Sequence, residues 1–105
     1  MINGIVKCGI CGFSILVEAD CKDEQNVMLK ITSECPNYHK IANELQEVDS
    51  YQELFQSMNS GRIYKAFDKY SPHKSCPGLS CILKTVEVAA GLALPQAVTM
   101  EIKKI

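Results

Sequence analysis

Several things are missing from this 105-residue sequence, and each absence narrows what the protein does. No apolar run approaches the roughly 20 residues needed to cross a bilayer, and no charged N-terminal segment leads into an apolar one. Neither a membrane helix nor an export signal is therefore expected, and the expected location is the cytoplasm. No sign of charge dominates: 11 Lys and Arg are interspersed with 12 Asp and Glu, for a formal net charge of −1. Without a basic stripe to follow a phosphate backbone, no nucleic acid is expected as a partner. The tyrosines lack the basic interleaving of a base-stacking platform. There is no G-x-G-x-x-G, Walker loop, H-E-x-x-H or nucleophile elbow, so the familiar nucleotide, metalloprotease and hydrolase signatures are all absent. Repeats, low-complexity tracts and linkers are absent too, which leaves a single domain over residues 1–105, long enough to bury a core without staples.

What is present is cysteine: six of them. In a chain with no export signal they do not read as a disulfide framework, because cytosolic thiols are held reduced. Metal binding or thiol chemistry gains weight instead. Cys21 and Cys81 read as small packing hydrophobes, a common fate of free cysteine.

Residues Ile2 to Cys8 and Cys11 to Ala19 alternate apolar and polar around Gly9-Ile10, the pattern of a hairpin with a two-residue Gly-X turn. That turn would pair Cys8 with Cys11, Val6 with Phe13, Gly4 with Ile15 and Ile2 with Val17, all on one apolar face. Val27, Leu29 and Ile31 continue the alternation as a third strand. A helix from about Pro36 to Glu47 follows, burying Ile41, Ala42, Leu45 and Val48. Asp49 or Ser50 caps a short helix carrying Leu54, Phe55 and Met58. Asn59 or Ser60 caps another carrying Ile63, Ala66, Phe67 and Tyr70. Pro77 to Ala90 reads as the longest helix, ended by Gly91 and Pro95, and Val98, Met100 and Ile102 alternate as a last strand. The fold class is α+β: an antiparallel sheet of three N-terminal strands plus one C-terminal strand, with about four helices packed on it.

Ser33-Glu34-Cys35-Pro36 and Ser75-Cys76-Pro77 each open a helix, and proline is favoured at the first helical position. Cys35 and Cys76 are thereby placed at helix N-caps, where unpaired N–H groups and the positive end of the helix dipole stabilise a thiolate. Cys8-Gly9-Ile10-Cys11-Gly12 has the C-x-x-C-G form of a metal knuckle, half of a tetrahedral site. No second C-x-x-C exists, so the remaining ligands must come from separated residues. Cys35, Cys76 and His73 are the candidates, provided the hairpin tip and the two helix starts meet at one end of the sheet. His73 is also placed to act as a base or proton shuttle beside Cys76. His39 and the acidic cluster Glu44, Glu47 and Asp49 read as solvated surface.

The order of a hairpin cysteine, a cysteine at the helix after the third strand, and a His and Cys at the last long helix resembles the iron–sulfur cluster assembly scaffold family, the IscU and NifU N-terminal type. The resemblance implies that Cys11, Cys35, His73 and Cys76 hold a nascent cluster or zinc, on a three-stranded antiparallel sheet followed by helices. Phe13 stands where that family carries an acidic residue, and its histidine directly precedes the cysteine. The phrases Cys11-Gly12-Phe13, Ser33-Glu34-Cys35-Pro36, His73-Lys74-Ser75-Cys76-Pro77 and Glu87-Val88-Ala89-Ala90-Gly91-Leu92-Ala93-Leu94-Pro95 more closely resemble an uncharacterised family of small cysteine-containing proteins from anaerobic bacteria and archaea. That resemblance implies a reducing setting and supplies no activity.

The expectation is a binding protein in preference to an enzyme: Cys11, Cys35 and Cys76, with His73 or Cys8 as fourth ligand, hold zinc or an iron–sulfur cluster, since soft sulfur donors select these over magnesium or calcium. Its partners would be other proteins of metal or sulfur metabolism. Two alternatives stay open. One is a sulfur carrier or redox protein with Cys76 as thiolate nucleophile. The other is an interaction domain whose cysteines only pack.

Overall fold

The computed structural model describes residues 1–105. Its first three strands are β1 (Ile2–Lys7), β2 (Ser14–Cys21) and β3 (Asn26–Ser33), each formed where apolar residues recur with period two. One face takes Ile15, Val17 and Ala19 from β2 and Val27, Leu29 and Ile31 from β3, all buried. The other face carries Lys7, Lys30 and Thr32, all exposed. Helix α1 (Pro36–Glu44) follows, then the short strand β4 (Glu47–Asp49), α2 (Ser50–Phe55), a 3-10 turn (Met58–Ser60), α3 (Arg62–Tyr70) and α4 (Gly78–Ala89). The sheet order is β1-β2-β3-β4 and every neighbour is antiparallel. The α+β class, the four-stranded antiparallel sheet and the four helices are as the sequence implies. Helix α1 lies on β3, α4 lies on β1 and β2, and α3 packs against both helices. The core is the seam between these layers, filled by Ile41, Leu45, Val48, Ile63, Ala66, Phe67, Ile82 and Val86.

Several boundaries differ from expectation. The first hairpin is offset by two residues: Val6 faces Ile15, Gly4 faces Val17 and Ile2 faces Ala19. The Cys8 N–H donates to the Phe13 carbonyl at 2.9 Å and the Gly12 N–H to Gly9 at 2.9 Å, so the turn spans Gly9 to Gly12. Gly9 and Gly12 sit at φ +91° and +77°, conformations that cost an L side chain energy and that glycine adopts freely. An even offset keeps every side chain on its face, so the apolar face survives the correction.

The fourth strand is Glu47–Asp49, pairing with Asn26–Met28 of β3. The segment containing Val98, Met100 and Ile102 is not a strand and its side chains are exposed. Alternation in that segment is real, but an extended segment becomes a strand only where a neighbour accepts its backbone hydrogen bonds, and nothing in this chain pairs with it. Helix α1 ends at Glu44, so Val48 enters the core from β4. The Arg62 guanidinium donates to the carbonyls of Glu44 (3.0 Å) and Glu47 (2.7 Å), which satisfies chain ends that leaving the helix exposes.

Asp49 caps α2, its carboxylate accepting from Tyr51 N–H at 3.0 Å. Met58 belongs to the 3-10 turn and is exposed. Helix α3 is capped neither by Asn59 nor by Ser60: its N-cap is Gly61, and the buried Glu53 carboxylate reaches from α2 to accept from Arg62 N–H (2.8 Å) and Ile63 N–H (2.7 Å). A Cβ on Gly61 would stand 3.0 Å from Glu53 Oε1, so the glycine leaves room for the carboxylate. Helix α4 ends as expected at Gly91, φ +77°. Leu92 N–H donates to Glu87 and Gly91 N–H to Val88, both at 3.0 Å, the paired bonds of a Schellman motif.

Candidate functional site

The strand ends decide what meets at one pole of the sheet. Ile15 pairs with Val6 on one side and Ser33 on the other, so the residues just past those partners, Cys8 and Cys35, leave the sheet side by side. Cys35 is the N-cap of α1, with Pro36 in the first helical turn. Its N–H donates to Ser33 Oγ at 3.1 Å, and the Ser33 hydroxyl donates to the Ser14 carbonyl at 2.7 Å. Two short hydrogen bonds thus fix where the Cys35 backbone leaves the sheet.

Helix α4 arrives at the same pole. A Cβ on Gly78 would lie 2.6 Å from Ile15 Cδ1 and would overlap the Tyr38 hydroxyl, which measures how closely the helix start approaches β2 and α1. Cys76 stands one position further out than expected: Pro77 takes the N-cap place at φ −74°, ψ −1°, and its carbonyl accepts from Cys81 N–H at 3.1 Å. The Cys76 N–H is held by the His73 carbonyl at 3.2 Å.

One pocket results, lined by Cys8, Cys11, Cys35, His73, Cys76 and Tyr38. All five residues singled out in the sequence as ligands therefore border a single cleft, with Phe13 and Ile15 as apolar wall. Cys8, Cys35 and Cys76 are half-buried against the core, while Cys11 is exposed on the turn. Every cysteine is a free thiol. Burial and then the neighbouring Cys76, Cys11 and Cys35 push the Cys8 thiol up from 9.0 to about 12, because a thiolate there would lose water and face other sulfurs.

Tyr38, to which no motif in the sequence assigns a role, also belongs to this site. Only 2% exposed, it places its hydroxyl 3.1 Å from Cys76 Sγ. Burial, followed by the Cys76 contact, raises the tyrosine's own proton affinity, so the phenol keeps a proton that it can donate to that sulfur. Its position three residues after Cys35, facing inward from the first turn of α1, was the available signal.

His73 is exposed and borders the cleft, but its Nε2 is engaged 2.9 Å from Ser75 Oγ. His39 is exposed, as expected, with Nε2 3.1 Å from the Ser33 carbonyl. Cys21 and Cys81 lie away from the pocket as partly buried packing residues, and burial raises the Cys81 thiol. No three His, Cys, Asp or Glu side chains stand in metal-holding geometry. The donor set of four cysteines around one half-buried cleft nonetheless fits a soft, thiolate-seeking group by its chemistry. No helix is long and apolar enough to cross a membrane.

The architecture is thus a small α+β layer with a cysteine-lined pole. Residues 2–102 match the model of a family described as "Family of unknown function (DUF6951)", and the chain belongs to that family. No curated protein and no solved structure matches it.

Proposed function

We propose that the protein binds a soft metal, zinc or an iron–sulfur cluster, through Cys8, Cys11, Cys35 and Cys76, in a scaffold-like role among proteins of metal or sulfur metabolism. The observation that carries this reading is the convergence of four free thiols from three separate parts of the chain on one cleft. The neighbouring sulfurs add to burial in raising the proton affinity of Cys8, and a cation that displaces that proton relieves the repulsion a thiolate would meet there. A bound zinc or cluster supplies Lewis-acid or one-electron chemistry at the cleft.

The chain's own residues define the remaining roles. Cys8, Cys35 and Cys76 are held by a strand end, a helix cap and a tight turn, and provide the fixed donors. Cys11, exposed between Gly9 and Gly12, is the side chain that must swing inward to complete the set. Once Cys76 is a thiolate its sulfur can only accept, and the Tyr38 hydroxyl beside it donates a charge-assisted hydrogen bond. His73, tied to Ser75, is the reserve ligand at the rim.

The test is anaerobic purification followed by zinc, iron and labile-sulfide analysis, with cobalt(II) titration of the stripped protein under reducing conditions. We expect one zinc or one cluster per chain and a thiolate-to-cobalt charge-transfer band, both lost in Cys35→Ser and Cys76→Ser. Sub-stoichiometric metal in every preparation together with a featureless cobalt titration overturns the reading.

A second reading, thiol chemistry at Cys76 as a sulfur carrier or redox protein, draws on the Tyr38 hydrogen bond to that sulfur. It expects one cysteine, Cys76, to alkylate far faster than the rest at neutral pH, with no metal required.

A further inference from the structure

Two parts of this chain stand unpaired within a single copy. The first is the outer edge of β1. Because the Cys8 N–H points toward β2 and bonds Phe13, and backbone groups alternate along an antiparallel strand, the N–H and C=O groups of Asn3, Ile5 and Lys7 point away from the sheet. β1 pairs with β2 alone, and no backbone or side-chain hydrogen bond outside the ladder uses those groups. The edge carries none of the usual protections. It is six residues long, with neither proline nor bulge, and its one charge is Lys7; such an edge is a template for an added strand.

The second is the segment after α4. Val98, Met100 and Ile102 are 65%, 74% and 87% exposed and alternate with Thr99, Glu101 and Lys103. That period-two pattern is the sequence form of a strand with one face buried, yet none of its apolar side chains is covered by its own chain. The molecule as a whole is elongated, 45 × 27 × 25 Å.

The two features match in length and in facing. Val98 to Lys103 spans the same number of residues as β1. If it is added beside that strand, its apolar side chains extend the row of Ile2, Gly4 and Val6 under α4. Thr99, Glu101 and Lys103 then lie beside Asn3, Ile5 and Lys7 on the open face, where Glu101 can approach Lys7. We propose that this chain forms a homodimer by strand exchange, the 98–103 segment of each copy adding to the β1 edge of the other. The proposal is independent of whether the cysteine pole holds metal.

Sedimentation equilibrium of the full chain under reducing conditions, with hydrogen exchange on the same samples, tests it. The expected result is a concentration-dependent dimer in which the Asn3, Ile5 and Lys7 amides are protected and open on dilution. Ile5→Pro removes an outward N–H at a position where an edge strand tolerates proline, and should weaken association on the order of 100-fold. The double variant Val98→Asp with Ile102→Asp alters only exposed side chains, so the monomer fold is preserved, and it should weaken association as much. If Ile5→Pro does not fold, the tail variant decides alone. A chain that is monomeric at every concentration overturns the proposal, including one whose β1 amides are protected by its own tail. So does a dimer that the tail variant leaves unchanged.

Discussion

The Tyr38 hydroxyl lies 3.1 Å from Cys76 Sγ, joining the first turn of α1 to the residue that leads into α4. Gly78 makes that approach possible, since a Cβ there would occupy the space of the same hydroxyl. The closest packing between the two helix starts and the most specific polar contact of the cysteine pole are therefore one arrangement. The phenol has a sulfur as partner, so a charged sulfur at Cys76 would gain from it more than a neutral thiol does.

Gly78→Ala is accordingly expected to cost about 1–3 kcal/mol by overpacking, because both Tyr38 and Ile15 are fully packed and neither can retreat without disturbing its neighbours. Urea denaturation of the reduced protein measures this. Ser80→Ala, at an exposed position two residues further along the same helix, serves as the control and should be close to neutral. An alanine at position 78 with unchanged stability would mean that the helix start sits further from Tyr38 than described.

Stability of the metal-free, reduced protein should fall in alkali. Cys8 is neutral when protonated, and the fold raises its titration from 9.0 to about 12. Folding thus favours the protonated form: the contribution is fully present below about pH 9 and is lost as pH rises from 9 through 12. Denaturation midpoints measured without oxygen across that window should decline, and Cys8→Ser should flatten the decline. Tyr38 shifts in the same direction, burial again the first cause, and adds to the loss from about pH 10 upward, so the Cys8→Ser variant should keep a shallower alkaline decline. An equal alkaline slope in the Cys8→Ser variant would contradict this origin.

Glu53 offers a check far from the cleft. Its buried carboxylate accepts from the first two N–H groups of α3, doing from another helix what an N-cap side chain does locally. Glu53→Ala should cost about 1–3 kcal/mol by orphaning both donors, and Glu53→Gln, which keeps one accepting oxygen, should cost less. Thermal unfolding of the two variants gives the comparison. An alanine variant as stable as the parent would show that Arg62 and Ile63 find water instead.

Much of the fold was readable because periodicity is a local signal. The alternation of Val27, Leu29 and Ile31, the helical spacing of Ile82, Val86 and Ala90, and the stop at Gly91 each need only a handful of neighbouring residues to be recognised. The misreadings share a different cause. The Gly9 to Gly12 turn is twice the expected length because two glycines, each free to take positive φ, permit more than one turn. β4 escaped notice because three residues are too few to show a period, and Val48 fits a helical stripe as well as a strand. The capping of α3 by Glu53 depends on two helices meeting, which no window around Gly61 contains.

The candidate site divides in the same way. Which residues carry soft-donor chemistry was evident from Cys8, Cys11, Cys35, Cys76 and His73 themselves, together with the prolines that open the helices after two of them. That Tyr38 belongs with them was not, because its burial and its aim at Cys76 follow from where α4 comes to rest.

Composition and spacing alone determined that this is a small α+β domain rich in thiols, with an apolar face on each strand and a stripe on each long helix, because those properties are set by side-chain type and by the fixed periods of the backbone. The tertiary structure alone decided that four cysteines share a cleft and that Tyr38 bonds one of them. It alone decided that the alternating segment at Val98 to Ile102 remains without a partner in its own chain. Those outcomes depend on contacts between residues tens of positions apart, whose geometry is fixed only when the layers pack.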